Sequence, residues 1–335
     1  MAKKVRLGFI GSGGIVAAHL DHGLKDFPDV DFAGWCDLNV EAASARASQV
    51  GGYGEIFTDA KEMLDLAKPD AVYIMLPPYA HGAAEALVIE RRLPFFVEKP
   101  VAIDMPTALR VAEGVSKHNL ITSVGYMNRY RQSLRRVKEL LKLHKPVIMH
   151  GGWVGGGPSS YSGIWAWWVQ KDKSGGQFLE QTTHTIDLAR YLFGDVTHVF
   201  AVAVRDRRKR PDFYTIEDAS MVQLMFDSGA AANLYSSCST AVGGGVTLTV
   251  WGTDFKAEYT GWEHSVKISL PGNEQTSIPG EDKIFALEDR AFIDSVKAGR
   301  NKGILATYED GLKATAIACA ANESMVTGNV VKLAV

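Results

Sequence analysis

Apolar positions in the first third of the chain fall in short runs, each followed by a stretch of helical period. Val5 to Ile10 is the first run and ends at Gly11-Ser12-Gly13-Gly14-Ile15-Val16. A helical pattern continues through Leu20 and Leu24, and Val30 to Cys36 is a second run that ends at Asp37. Thr58 or Asp59 can cap a helix to Ala67, Ala71 to Met75 reads as a buried strand closed by Pro77-Pro78, and His81 to Glu90 as a helix. Phe95 to Glu98 is the next strand and leads into Lys99-Pro100. Asp104 can then cap Met105 to Lys117, and Leu120 to Tyr126 is a further strand. Repeated strand–helix units of this length predict an α/β domain over residues 1–125, a doubly wound parallel sheet of the Rossmann type.

From about Tyr126 the runs lengthen. Val147 to Val154, Val196 to Val204, Ser220 to Phe226, Ala230 to Ser237 and Val246 to Trp251 read as strands, with Asp227-Ser228-Gly229 as a hairpin turn. Gln177 to Phe193 reads as one helix stopped by Gly194. Residues 126–335 are therefore expected to form an α+β domain on an open, mostly antiparallel sheet. The alanine-rich helix of about residues 308–327 should pack back on the body.

The charge balance narrows the function classes. Lys plus Arg number 36 and Asp plus Glu 38, a net charge of −2, which supplies no basic field for nucleic acid. The run Arg205-Asp206-Arg207-Arg208-Lys209-Arg210 reads as a solvated loop between strands. Cys36, Cys238 and Cys319 are odd in number and far apart, which argues against a disulfide framework and a cysteine zinc site. The apolar run after Lys3-Lys4 is too short for a signal peptide, and no stretch approaches the ~20 apolar residues of a membrane helix. A cytoplasmic protein without membrane, nucleic-acid or metal partners is the expectation.

The order strand, glycine turn, helix, strand, acid carries the first chemical signal. Gly11 permits the tight turn, Gly13 lets backbone approach a pyrophosphate, and the helix N-terminus directs N–H groups at phosphates. Asp37 follows at about 20 residues, where a carboxylate binds the adenosine ribose hydroxyls. Leu38 and Asn39 come next, with no arginine to meet a 2′-phosphate, so NAD is expected over NADP. Pro77 and Glu98-Lys99 also fall at predicted strand ends, the edge where such sheets collect ligands. A lysine there could bond a substrate oxygen during proton transfer.

Glu180, His184 and Asp187 lie at i, i+4 and i+7 and share a face of a continuous helix. Spacing leaves a solvated Glu–His pair and a catalytic face both open, and the set is no standard zinc site. Upstream, Gly151-Gly152-Trp153-Val154-Gly155-Gly156-Gly157-Pro158 reads as a loop before Tyr161, Trp165, Trp167 and Trp168. Trp rings pack on the C–H faces of sugars, so Trp167 or Trp168 could line a sugar site; core or subunit contacts are the alternatives.

Several segments, in order along nearly the whole chain, resemble the Gfo/Idh/MocA family of nicotinamide-dependent sugar and polyol oxidoreductases. They are Ile10-Gly11-Ser12-Gly13-Gly14-Ile15, Leu76-Pro77-Pro78-Tyr79-Ala80-His81, Glu98-Lys99-Pro100, Gly125-Tyr126-Met127-Asn128-Arg129-Tyr130, Ser174-Gly175-Gly176 with His184 and Asp187, and Tyr308-Glu309-Asp310-Gly311 with Ala321-Asn322-Glu323-Ser324. The resemblance implies a cofactor site of Gly11, Ser12, Gly13, Gly14, Ile15, Asp37, Leu38, Leu76, Pro77, His81, Glu98, Lys99 and Arg129. It implies Lys99, His184 and Glu180 as catalytic groups, with Lys99, Tyr126, Trp153, Trp167, Trp168, Gln181 and His184 toward substrate. Glu180 stands where the family carries aspartate, Thr182 where it carries glycine, and Pro78 where many members carry asparagine. The implied activity is hydride transfer between a sugar or polyol carbon and NAD, in a homodimer or homotetramer. Redox-neutral turnover through transient oxidation, and a nucleotide- or sugar-sensing regulator, are the alternatives within the same family.

Overall fold

Strand β1 (Val5–Ile10) lies inside a six-stranded parallel sheet, and all but one of its residues are buried. In this computed structural model, which describes residues 4–207 and 209–333, it is followed by α1 (Gly14–His22), β2 (Val30–Cys36), α2 (Val40–Gln49), β3 (Glu55–Phe57), α3 (Ala60–Ala67), β4 (Ala71–Ile74), α4 (Ala83–Glu90), β5 (Phe95–Val97), α5 (Met105–His118) and β6 (Thr122–Val124). The strand order β3-β2-β1-β4-β5-β6 is that of a doubly wound sheet. Its core includes a row of stacked rings, with Phe9 4.4 Å from Trp35 and 5.0 Å from Tyr73, and Tyr73 5.0 Å from Phe96.

Local chemistry sets the helix ends. Asn39 Oδ1 accepts from the Glu41 and Ala42 N–H groups to start α2, a helix the sequence pattern did not reveal. Asp59 caps α3 by accepting from Glu62 N at 2.7 Å. The helix expected from His81 begins at Ala83, because Gly82 has φ +108 and its N–H is taken by the Glu85 carboxylate.

Residues 128–282 fold around a nine-stranded sheet. They supply α6 (Gln132–Leu143), β7 (Pro146–Gly156), α7 (Trp165–Trp168), α8 (Lys171–Ser174), α9 (Gln177–Glu180), α10 (Thr183–Phe193), β8 (Val196–Val204), β9 (Ala219–Phe226), β10 (Ala231–Thr240), β11 (Gly245–Gly252), β12 (Phe255–Thr260), β13 (Ser265–Ser269) and β14 (Gln275–Ile278). All pairings are antiparallel except β10 with β7. The expected 177–193 helix is interrupted: α9 ends at Glu180, and Gln181 and Thr182 form the turn before α10. The strand expected over Val147–Val154 is β7, which runs on to Gly156 and so takes in most of the glycine run also expected as a loop. A Cβ on Gly152 would sit 1.9 Å from the Tyr235 carbonyl, so glycine here serves close strand packing. The register sets Ile148, Met225, Met221 and Val202 on one exposed apolar sheet face.

Helices α11 (Phe285–Ala298) and α12 (Tyr308–Thr327) and strand β15 (Val331–Lys332) complete the chain. By contacts, residues to Ala102, Pro106–Met127 and Lys283–Leu312 form one unit, and Ile103–Met105, Asn128–Asp282 and the chain from Lys313 form the second. The sequence pattern places one break at 125/126; the first unit in fact regains a late segment containing α11, whose Phe292 and Ile293 enter its core. No helix among the described residues is long and apolar enough to cross a membrane. The three cysteines are free. In the basic run, Arg210 donates to Ser239 and Asp218 and lies over the Tyr214 ring, Arg205, Asp206, Arg207 and Lys209 are exposed, and Arg208 lies outside the described residues.

Candidate active site

The C-terminal edge of the parallel sheet gathers most of the residues expected to hold a cofactor. Gly11 has φ +90, and a Cβ there would lie 2.3 Å from the Met75 carbonyl, so only glycine fits between β1 and the end of β4. Ser12 N donates to Asp37 Oδ2 at 2.7 Å and Asn39 N to Oδ1 at 2.9 Å, which pins the carboxylate beside the glycine turn. Gly13 and Gly14 are exposed, and a Cβ on either would meet nothing within 4 Å. Helix α1 starts with no side-chain cap, and Ser12 Oγ is buried without a partner. An open glycine turn, an uncapped helix N-terminus and an unpartnered hydroxyl beside a fixed carboxylate fit a dinucleotide. Ile15, Leu76 and Pro77 are half-buried, and Leu38 is exposed.

His81 Nδ1 is 2.6 Å from Glu85 Oε1, and its Nε2 is buried without a partner. Glu98 and Lys99 follow β5, with Glu98 buried, Lys99 half-buried and the Lys99–Pro100 bond cis. Lys99 N donates to Glu98 Oε2 at 3.1 Å. A Cβ on Gly125 would lie 2.6 Å from Glu98 Oε1, so the carboxylate rests against bare backbone after β6. Tyr126, expected toward substrate, is 1 % exposed.

The second unit holds the other candidates. Glu180 is buried at the end of α9, Gln181 is half-buried in the turn, and His184 is half-buried in the first turn of α10. Asp187 does not join them as a free group. It receives Nε and Nη2 of Arg129 at 2.6–3.1 Å, with both residues buried and the guanidinium 5.1 Å from the Tyr191 ring centroid. Arg129, expected at the cofactor, is thus a bidentate partner of Asp187 in the second unit. The solvated-face alternative for this helix does not hold, because Glu180 and Asp187 are 6 % and 1 % exposed.

The tryptophans divide. Trp168 donates Nε1 to Gln177 Oε1 at 3.1 Å and stacks on Trp165 at 5.0 Å and Trp167 at 6.2 Å, so this cluster is anchored to α9. Trp153 lies along its own strand, its ring 2.0 Å from where a Gly155 Cβ would be. Sequence reasoning missed Trp262, which is 46 % exposed and lies edge-on to the His184 ring at 6.1 Å and 85°. Its available signal was one aromatic amid turn residues, Thr260-Gly261-Trp262-Glu263. Arg131, fully buried, holds that turn by donating to the carbonyls of Trp262, Glu263 and Glu281 and to Asn128 Oδ1.

Residues 5–126 match the oxidoreductase family with an NAD-binding Rossmann fold, and residues 134–258 match the GFO/IDH/MocA C-terminal domain. Inositol 2-dehydrogenase 3 of Saccharopolyspora erythraea is 25 % identical across 98 % of this chain and 96 % of its own. The scyllo-inositol 2-dehydrogenase (NAD(+)) of Bacillus subtilis is 27 % identical across 70 % of this chain and 66 % of its own. Levoglucosan dehydrogenase in complex with NADH shares the fold, with a TM-score of 0.87 at 18 % identity over 98 % of this chain and 99 % of that one. With both domains matched, the chain belongs to the Gfo/Idh/MocA family of NAD-binding oxidoreductases.

Proposed function

We propose that this enzyme oxidises a hydroxyl-bearing carbon of a sugar, sugar derivative or polyol with NAD, using Lys99 and His184 as acid/base groups and Glu180 as an orienting carboxylate. The observation that carries the reading is the fixed Asp37 carboxylate at an open glycine turn, on the sheet edge that also carries Glu98 and Lys99. NAD, when bound, supplies the hydride acceptor. Gly11 to Ile15 and Asp37 would hold its phosphates and ribose, with Leu38, Leu76, Pro77 and His81 along the same edge. Asp37 would repel a 2′-phosphate, and the Asn39 side chain is already committed to capping α2, so NAD is favoured over NADP. Lys99 Nζ holds the substrate oxygen, and Lys99 or the His184 imidazole accepts the hydroxyl proton. Gln181 and the Trp167–Trp168 cluster are the further substrate contacts of this reading. The relatives named for inositol and levoglucosan support a polyol or sugar as substrate. A homodimer or homotetramer is part of the proposal, served by the exposed apolar sheet face.

The test is NADH formation across a panel of inositols, sugars and anhydrosugars, with wild type and Lys99→Ala side by side. Turnover should fall by roughly 10²–10⁴ in the variant. Near-normal turnover would remove Lys99 from the mechanism, and tighter binding of NADP than NAD would overturn the role of Asp37. Product analysis separates net oxidation from redox-neutral turnover.

A further inference from the structure

His19, on the inner face of α1, is fully buried between two acidic groups from distant parts of the first unit. Its Nδ1 faces both Asp289 oxygens at 2.9 and 3.0 Å, and its Nε2 faces Glu98 Oε1 at 3.3 Å. Tyr73 OH donates to Asp289 Oδ1 at 3.1 Å. The chain Tyr73–Asp289–His19–Glu98 therefore runs from β4 and α11 through α1 to the end of β5. Glu98 is held on its other sides by the Lys99 N–H and by the bare backbone of Gly125. Two acceptors on opposite ring nitrogens need two N–H groups, and a neutral imidazole has one. The geometry is satisfied by an imidazolium shared between two carboxylates.

We propose that His19, clamped by Asp289, is a positioning residue that fixes the Glu98 carboxylate for the nicotinamide end of NAD and beside Lys99. The inference rests on the assignment of Glu98 and Lys99 to the cofactor. The charged and titratable groups around His19 are Asp289 and Glu288 on α11, Glu98 after β5, Tyr73 on β4 and His22 on α1. Burial alone would lower the His19 pKa, but Asp289, Glu98 and Glu288 together raise it well above the usual imidazole value. The clamp is complete at neutral pH and loses one N–H when His19 deprotonates on the alkaline side.

The experiment measures binding of NAD and of ADP-ribose, which lacks nicotinamide, by calorimetry across alkaline pH. Wild type, Asp289→Asn and the near-isosteric Tyr73→Phe are compared. Wild type should bind NAD more tightly than ADP-ribose. In Asp289→Asn, NAD should weaken by about tenfold and ADP-ribose by less than about twofold. In Asp289→Asn the pH at which the NAD preference is lost should move down, whereas Tyr73→Phe, which removes a competing donor from the Asp289 carboxylate, should move it up by less. Equal weakening of both ligands, or an unmoved pH profile in Tyr73→Phe, would overturn the proposal. Wild type that binds neither ligand would overturn the cofactor reading beneath it, and wild type that binds both equally would remove Glu98 from the nicotinamide end.

Discussion

His19 and His264 are both buried, at 0 % and 3 % exposure, yet their surroundings drive them to opposite protonation states. In the first unit, carboxylates outweigh the burial of His19 and keep it cationic. In the second unit, burial dominates and lowers His264 to about 4, a backbone carbonyl from Trp262 opposes this weakly, and Arg131 adds to it. His264 Nδ1 lies 2.9 Å from that carbonyl. Burial alone therefore does not decide a histidine's charge; the sign and number of its partners do. The two networks also hold different things. The first fixes a side chain, Glu98. The second fixes a turn, residues 262–264, and with it the Trp262 ring against His184.

The largest effect that would sharpen this contrast comes from Arg131. Its donors meet three part-buried carbonyls and one buried side-chain amide, so Arg131→Met leaves four acceptors without their donor. The expected loss of stability is roughly 3–5 kcal/mol, read from the urea midpoint. A loss under about 1 kcal/mol would mean that water replaces the guanidinium and that this network does not hold the turn.

His264 comes next. Its folded pKa is depressed, so the unfolded chain binds the extra proton first. Stability is present above the ordinary imidazole value of 6.5 and is lost as pH falls to about 4. The loss over that window is about 3 kcal/mol, at roughly 1.4 kcal/mol per unit. His264 has φ +53, a conformation that asparagine tolerates. In His264→Asn the stability–pH curve should flatten between pH 4 and 6.5, and an unchanged slope would assign the acid sensitivity to other groups.

What could be read in the chain beforehand divides along the same line. The glycine turn and Asp37 were legible because their spacing follows from one strand–helix–strand unit. Glu98-Lys99 was legible because strand ends in a parallel sheet converge on one edge. The His19–Asp289 pair was not, since its members are 270 residues apart and no local pattern links them. Arg129 was marked only by resemblance, as a cofactor contact; its bidentate pairing with Asp187, 58 residues away, is a feature that no local pattern announces. The 177–193 helix was overextended because residues 181–182 carry no glycine or proline to mark the turn.

The smallest predicted effect tests whether the second network serves substrate at all. Trp262 is half exposed, so truncating it removes little of the core, and the turn beneath it is held by backbone carbonyls that the substitution leaves in place. If its ring forms a wall of the site beside His184, Trp262→Ala should raise KM for the sugar or polyol about tenfold, near 1.4 kcal/mol, with kcat within about twofold. Trp262→Phe should recover part of that loss, because a smaller ring still offers an apolar face. Unchanged KM in both variants would leave Trp262 as surface. A fall in kcat without a change in KM would instead mean that the ring acts by holding the His184 imidazole, and both networks would then be positioning devices, one for the Glu98 carboxylate and one for His184.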